Sequence, residues 1–142
     1  MKAILLWAII LALIICFCII GSMKSANAEE IVPYWKVIMA EAVGEGYDGM
    51  MAVCCVIRNR GGNLNGFYGA KRKDLDDFCK RQGQRYIVQA KAIERAIFEE
   101  NAQDTTGGAT HYEALERYGV PYWARSMQIT CKIGRHTFFK EK

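Results

Sequence analysis

From Ile31 onward the apolar positions fall with a helical period. Ile31, Trp35, Ile38 and Ala42 recur at intervals of four, three and four, which predicts a helix ending at Gly44 with Pro33 in its first turn. Gly44, Gly46 and Gly49 then crowd together, each unfavourable inside a helix, and predict a tight break. A second helix follows, striped by Met50, Val53 and Ile57, with Asp48 placed to cap its start and Gly61-Gly62 to stop it. The basic stretch at Lys71, Arg72 and Lys73 reads as a solvated turn. A short helix is expected over 74–82, with Leu75 and Phe78 facing inward. A longer one from Gln84 to about Asn101 carries a stripe of Tyr86, Ala90, Ile93 and Ile97, and Gln84, Lys91, Arg95 and Glu99 on its solvated face.

Beyond Asn101 the helical period stops. Ala109–Glu113 suits an extended segment, and Gly119 and Pro121 block any long helix over 114–125. Residues 127–133 and 136–140 alternate apolar and polar in part, and Gly134-Arg135 between them reads as a hairpin turn. The expected class is α+β: a mainly helical core with a small β-hairpin near the C-terminus.

The first 28 residues follow another rule. Lys2 precedes an apolar run over 3–20, and Ala26-Asn27-Ala28 has the small-x-small form of a signal-peptidase site. The reading is a signal peptide over 1–28 and a catalytic domain over 29–142. The alternative is a membrane anchor through residues 3–20, a run near the minimum length for a span. Either way the domain is exported. Removing the leader takes away Lys2 and Lys24 and no acid, so 19 Lys and Arg against 15 Asp and Glu becomes 17 against 15. So weak a positive balance suits an anionic polymer and argues against a nucleic-acid partner. Cys54, Cys55, Cys79 and Cys131 remain, and the sequence leaves open whether they pair or are buried free thiols. Their spacing is not that of a zinc site.

Three acids surround the glycine break: Glu41, Glu45 and Asp48. Glu41 ends an apolar helix, where the macrodipole and partial burial both disfavour a carboxylate, as suits a proton donor. Solvated acids at a helix corner are the other reading of the same residues. The stretch around them, AEAVGEGYDGMMAVCCVIRNR, resembles the signature of the SleB-type cell wall hydrolases, the spore-cortex-lytic and phage-associated peptidoglycan enzymes. The matching features are Glu41-Ala42-Val43-Gly44-Glu45, Gly49 through Val53, and Asn59-Arg60. GGATHYEALERYGVPYWA followed by IGRHTFF resembles the family's second conserved region. The intervening NLNGFYGAKRKDLDDFCKRQGQ departs from the family's usual Phe-Pro and Gln-Phe motifs.

The resemblance implies a lysozyme-like fold and a lytic transglycosylase, with Glu41 as the one catalytic acid and base. Its substrate is the glycan strand of peptidoglycan, and neither cofactor nor metal is implied. Glu45, Thr110, His111, Tyr112, Tyr122 and Trp123 are the expected substrate-binding residues, since flat rings with hydrogen-bonding tips suit pyranose sugars. Core packing is the competing reading for Trp123, and a structural hydrogen bond for His136. The protein is expected to be a monomer that meets a membrane only through its N-terminal segment. Two alternatives remain. One is a muramidase-type hydrolase pairing Glu41 with Glu45, Asp48, Asp104 or Glu113. The other is an exported glycan-binding protein without catalysis.

Overall fold

The computed structural model describes residues 32–142; the expected leader lies outside them, as does Ile31. Helix α1 spans Tyr34–Ala42 and is followed by a 3-10 turn, Val43–Glu45, and helix α2, Gly46–Asn59. Pro33 precedes α1 as its N-cap. Asp48 does not cap α2, because that helix already begins at Gly46; it sits in the first turn, where the positive end of the helix dipole favours its charge.

Helix α2 is the centre of the core. Every residue from Gly49 to Ile57 is buried, so the stripe of Met50, Val53 and Ile57 is only part of an all-round apolar surface. Around it pack Val37, Ile38, Met39 and Ala42 of α1, and Ala90, Ile93 and Ile97 of helix α4, Gln84–Phe98. Helix α3, Leu75–Gln82, adds Leu75 and Cys79, with Phe78 only partly buried. Trp35 lies at the edge of the core, its ring covered by the ammonium groups of Lys36 and Lys91 at 5.6 and 5.0 Å. Cys54 and Cys55 are fully buried, and Cys54, Cys55, Cys79 and Cys131 are all free thiols. Among the described residues no helix is long and apolar enough to cross a membrane.

The expected hairpin is present as β2, Gln128–Ile133, and β3, His136–Lys140, with a register shift between Ile129 and Cys131. A third strand, β1, His111–Glu113, pairs with the other edge of β3, so the sheet order is β1-β3-β2 and all pairs are antiparallel. Strand β1 lies within the extended segment expected over Ala109–Glu113, though three residues are too few for alternation to reveal its pairing. Its register sets Tyr112 opposite Phe138, a fully buried core residue. Between β1 and β2 lie a one-turn helix α5, Leu115–Tyr118, and a 3-10 turn, Tyr122–Ser126.

One polar knot ties the end of α2 to the start of β1. The Asn59 amide donates to Asp104 Oδ2 and to the Ala109 carbonyl, both at 2.9 Å. Asp104 also accepts from the Thr106 N–H and hydroxyl and from the Gly108 N–H, at 2.6–2.8 Å. Partial burial alone would raise its carboxyl, but these donors outweigh it and hold it at about 2. A group whose folded value is depressed stabilises the fold above its ordinary range, near pH 4, and that contribution fades as pH falls toward 2. Asp104→Ala is therefore expected to cost about 1–3 kcal/mol at neutral pH. In urea denaturation the gap between wild type and variant should narrow as pH drops from about 4 to 2. A gap independent of pH would show that the ionised carboxylate is not what holds the loop.

Candidate active site

Glu41 sits in the last turn of α1, and the backbone of the 3-10 turn Gly69–Lys71 lies directly against that helix. A side-chain carbon at Gly69 would stand 2.7 Å from Ala40 Cβ and 3.1 Å from the Val37 carbonyl, so the approach requires glycine. It brings the Gly69 N–H to Glu41 Oε1 at 2.5 Å. The other oxygen, Oε2, accepts the Tyr112 hydroxyl at 2.7 Å. Burial raises the Tyr112 phenol well above its ordinary range, and the neighbouring Glu41 charge raises it further. Tyr112 thus remains a proton-bearing donor at any physiological pH. Phe138 and His136 hold its ring, with centroids at 5.7 and 4.9 Å.

Glu45 is fixed by a different partner. Its side chain is only 7% exposed; Oε2 accepts the Arg135 backbone N–H at 2.9 Å and Oε1 the Arg135 Nε at 2.5 Å. Burial pushes its carboxyl up, but the Arg135 backbone bond and guanidinium more than reverse this and leave it below its ordinary value. Gly134 makes the contact possible. Its φ is +58°, and a Cβ there would fall 2.1 Å from Glu45 Oε2. The β2–β3 turn is thereby latched onto the glycine corner.

Between these parts opens a cleft of about 750 Å³. Glu41, Glu45, Thr110, His111, Tyr112 and Trp123 all line it. Tyr122 does not: it is 85% exposed beside the Arg125 guanidinium, outside the cleft lining, because neighbouring residues of a tight turn face different ways. Trp123 combines both of its readings, packing edge-on against Phe139 at 5.4 Å while lining the cleft. The His111 ring lies 5.2 Å from that of Trp123, and its Nδ1 is 3.0 Å from the Thr110 hydroxyl. Of the acids considered as partners for Glu41, Glu113 and Glu45 line the cleft, whereas Asp48 and Asp104 do not.

Sequence reasoning missed several lining residues: Arg60, Phe67, Tyr68, Arg117 and Tyr118. Arg60 stands over the Phe67 ring at 5.0 Å and donates to the Asn65 carbonyl. The aromatic pair Phe67-Tyr68 beside Gly69 was the available signal, obscured by the basic run that follows it. Gly134→Ala is expected to cost about 1–3 kcal/mol in chemical denaturation, more than Arg135→Ala, since it adds both a strained φ and a clash with Glu45. Equal or smaller loss would show that the turn is not latched in this way.

A family model described as cell wall hydrolase matches residues 44–139, most of the chain, with Glu41 just upstream of the matched span. A spore cortex-lytic enzyme of Halalkalibacterium halodurans is 32% identical over 110 residues, covering 72% of this chain and 32% of that protein. The chain thus spans about a third of that relative's length. Among solved structures, the catalytic domain of the germination-specific lytic transglycosylase SleB from Bacillus anthracis matches with a TM-score of 0.53 and 25% identity. That match covers 82% of this chain and 98% of the solved one. The architecture is accordingly lysozyme-like, helical with a small antiparallel sheet, and the chain belongs to the cell wall hydrolase family.

Proposed function

We propose that this protein degrades peptidoglycan, cleaving the glycosidic bond between N-acetylmuramic acid and N-acetylglucosamine as a lytic transglycosylase. The observation that carries this reading is the Glu41 carboxyl, fixed at both oxygens by Gly69 and Tyr112 on the wall of a sugar-sized cleft. Protonated Glu41 donates its proton to the glycosidic oxygen as the bond to the anomeric carbon breaks. The resulting carboxylate then takes the proton of the muramic 6-hydroxyl as that oxygen closes on the anomeric carbon. Glu41 ends protonated, as it began, and the product is a 1,6-anhydro sugar. Each oxygen keeps a second lone-pair site for these transfers while its fixed bond is retained. Gly69 and Tyr112 position the acid, since a misplaced proton donor loses most of its effect.

The other residues divide by contact. Thr110, His111, Tyr112 and Trp123 offer aromatic faces and hydroxyls to the glycan. Glu45 shapes the cleft through Arg135, which engages both of its oxygens. The reading takes the enzyme to act as a monomer. Export through the leader over 1–28 places it with its polymeric substrate.

Glu113 supports a second reading. It lines the cleft, and its Oε1 already accepts the Ala114 N–H at 2.9 Å, leaving its other oxygen free to act on water in a hydrolase. The two readings separate by mutation. Glu41→Gln is expected to lower wall-degrading activity about 10²–10⁴-fold while binding to purified peptidoglycan persists. Glu113→Gln should keep activity within about threefold, the size of a lost exposed polar contact. Full activity of Glu41→Gln would overturn the proposal, a wild type that binds peptidoglycan without degrading it would favour a binding protein, and a Glu113→Gln loss as deep as that of Glu41→Gln would favour the hydrolase.

A further inference from the structure

His136 opens strand β3 on the wall of the cleft. Its Nδ1 is buried and has no hydrogen-bond partner, alone among the buried side-chain nitrogens and oxygens of the described residues. The structural hydrogen bond expected of His136 is not made at this atom. The ring stands edge to face with Tyr112 at 4.9 Å and with Phe138 at 6.4 Å, neither of which offers an acceptor ring atom. An orphaned buried N–H is rarer and costlier than an under-used acceptor, so a proton at Nδ1 is disfavoured. Imidazolium needs donors satisfied at both nitrogens and is disfavoured more strongly.

Charged groups around the ring pull both ways. Glu41 on α1, Glu45 on the following 3-10 turn and Glu113 on β1 favour a positive ring, while Arg135 in the adjoining turn opposes it. Burial is the largest influence and leaves the imidazole below its ordinary value. A neutral imidazole with Nδ1 sealed holds its single proton on the other nitrogen.

We propose that His136 carries its proton on Nε2 and presents that N–H to an acceptor oxygen of the glycan bound beside Glu41. This rests on reading the cleft as a glycan site. It makes His136 a substrate-binding residue that donates a hydrogen bond, distinct from the proton transfers assigned to Glu41. The ligand class is an N-acetylated saccharide, rich in carbonyl, ether and hydroxyl acceptors.

Two measurements test it. The chain holds two histidines, so 15N NMR of the full chain labelled at histidine gives two ring patterns, and the His136→Gln variant assigns them. The expected His136 pattern is neutral and Nε2-protonated from about pH 6 to 8, with that signal shifting when tetra-N-acetylchitotetraose is added. An Nδ1-protonated ring, an imidazolium at pH 7, or no shift with the saccharide overturns the proposal. Side-chain replacement supplies the second test, because the glutamine amide nitrogen falls near the place of Nε2 and the asparagine nitrogen near that of Nδ1. With folding checked by circular dichroism, kcat/KM on purified peptidoglycan should stay within about threefold in His136→Gln and fall about tenfold in His136→Asn, the worth of one neutral hydrogen bond. The reverse order, or equal loss in both, contradicts it. An inactive wild type would instead count against the glycosidase reading, and the saccharide shift would still decide whether His136 meets a glycan.

Discussion

Gly69 N–H and the Tyr112 hydroxyl reach the two oxygens of Glu41 from segments 28 and 71 residues further along the chain. The carboxyl is thus the point where helix α1, the loop after α2 and the small sheet meet. Each contact carries its own requirement. The loop must lack a side chain at residue 69 to touch α1, and β1 must pair with β3 in the register that sets Tyr112 on Phe138. A carboxylate at the end of a helix faces the negative pole of the dipole, and two donors oppose that penalty. The arrangement fixes the position of the Glu41 carboxyl, and position is the quantity a glycosidic acid must control.

A second tether runs from the same corner. Glu45 lies four residues after Glu41 and binds Arg135 across 90 residues of sequence. Gly49 and Gly134 both leave room for its side chain. With the Asn59–Asp104 knot at the far end of α2, the sheet is held to both ends of the central helix. The cleft is therefore a property of how helices and sheet are joined, and a side chain at Gly134 would collide with Glu45 at the glycine corner. Both oxygens of Glu45 are occupied by Arg135.

Much of this was legible in the sequence where the signal is local. Periodicity gave α1, α2 and α4, and Gly134-Arg135 marked the hairpin turn. Glu41 stood out through its place at a helix end and through the resemblance of its surroundings to a known signature. What was not legible depends on distant partners. The stretch around Gly69 read as a solvated loop because nothing local reveals that its backbone lies on α1. Ala109–Glu113 reads as extended, and β1 lies within it, but three residues are too few to reveal its pairing with the edge of β3. Tyr122 was grouped with Trp123 as neighbours in an aromatic run, yet only Trp123 turns into the cleft. Helix α2 was read as amphipathic, although burial on all sides makes it the core.

The central claim is that Glu41, acting alone, closes a muramic hydroxyl onto the anomeric carbon. Mass spectrometry of the muropeptides that the full chain releases from purified peptidoglycan tests it most directly. The account predicts products ending in 1,6-anhydro-N-acetylmuramic acid, each lighter by one water than the hydrolysed equivalent. Reducing muramic ends would contradict it, showing that water is the attacking group and that a second carboxylate, with Glu113 the first to test, shares the work.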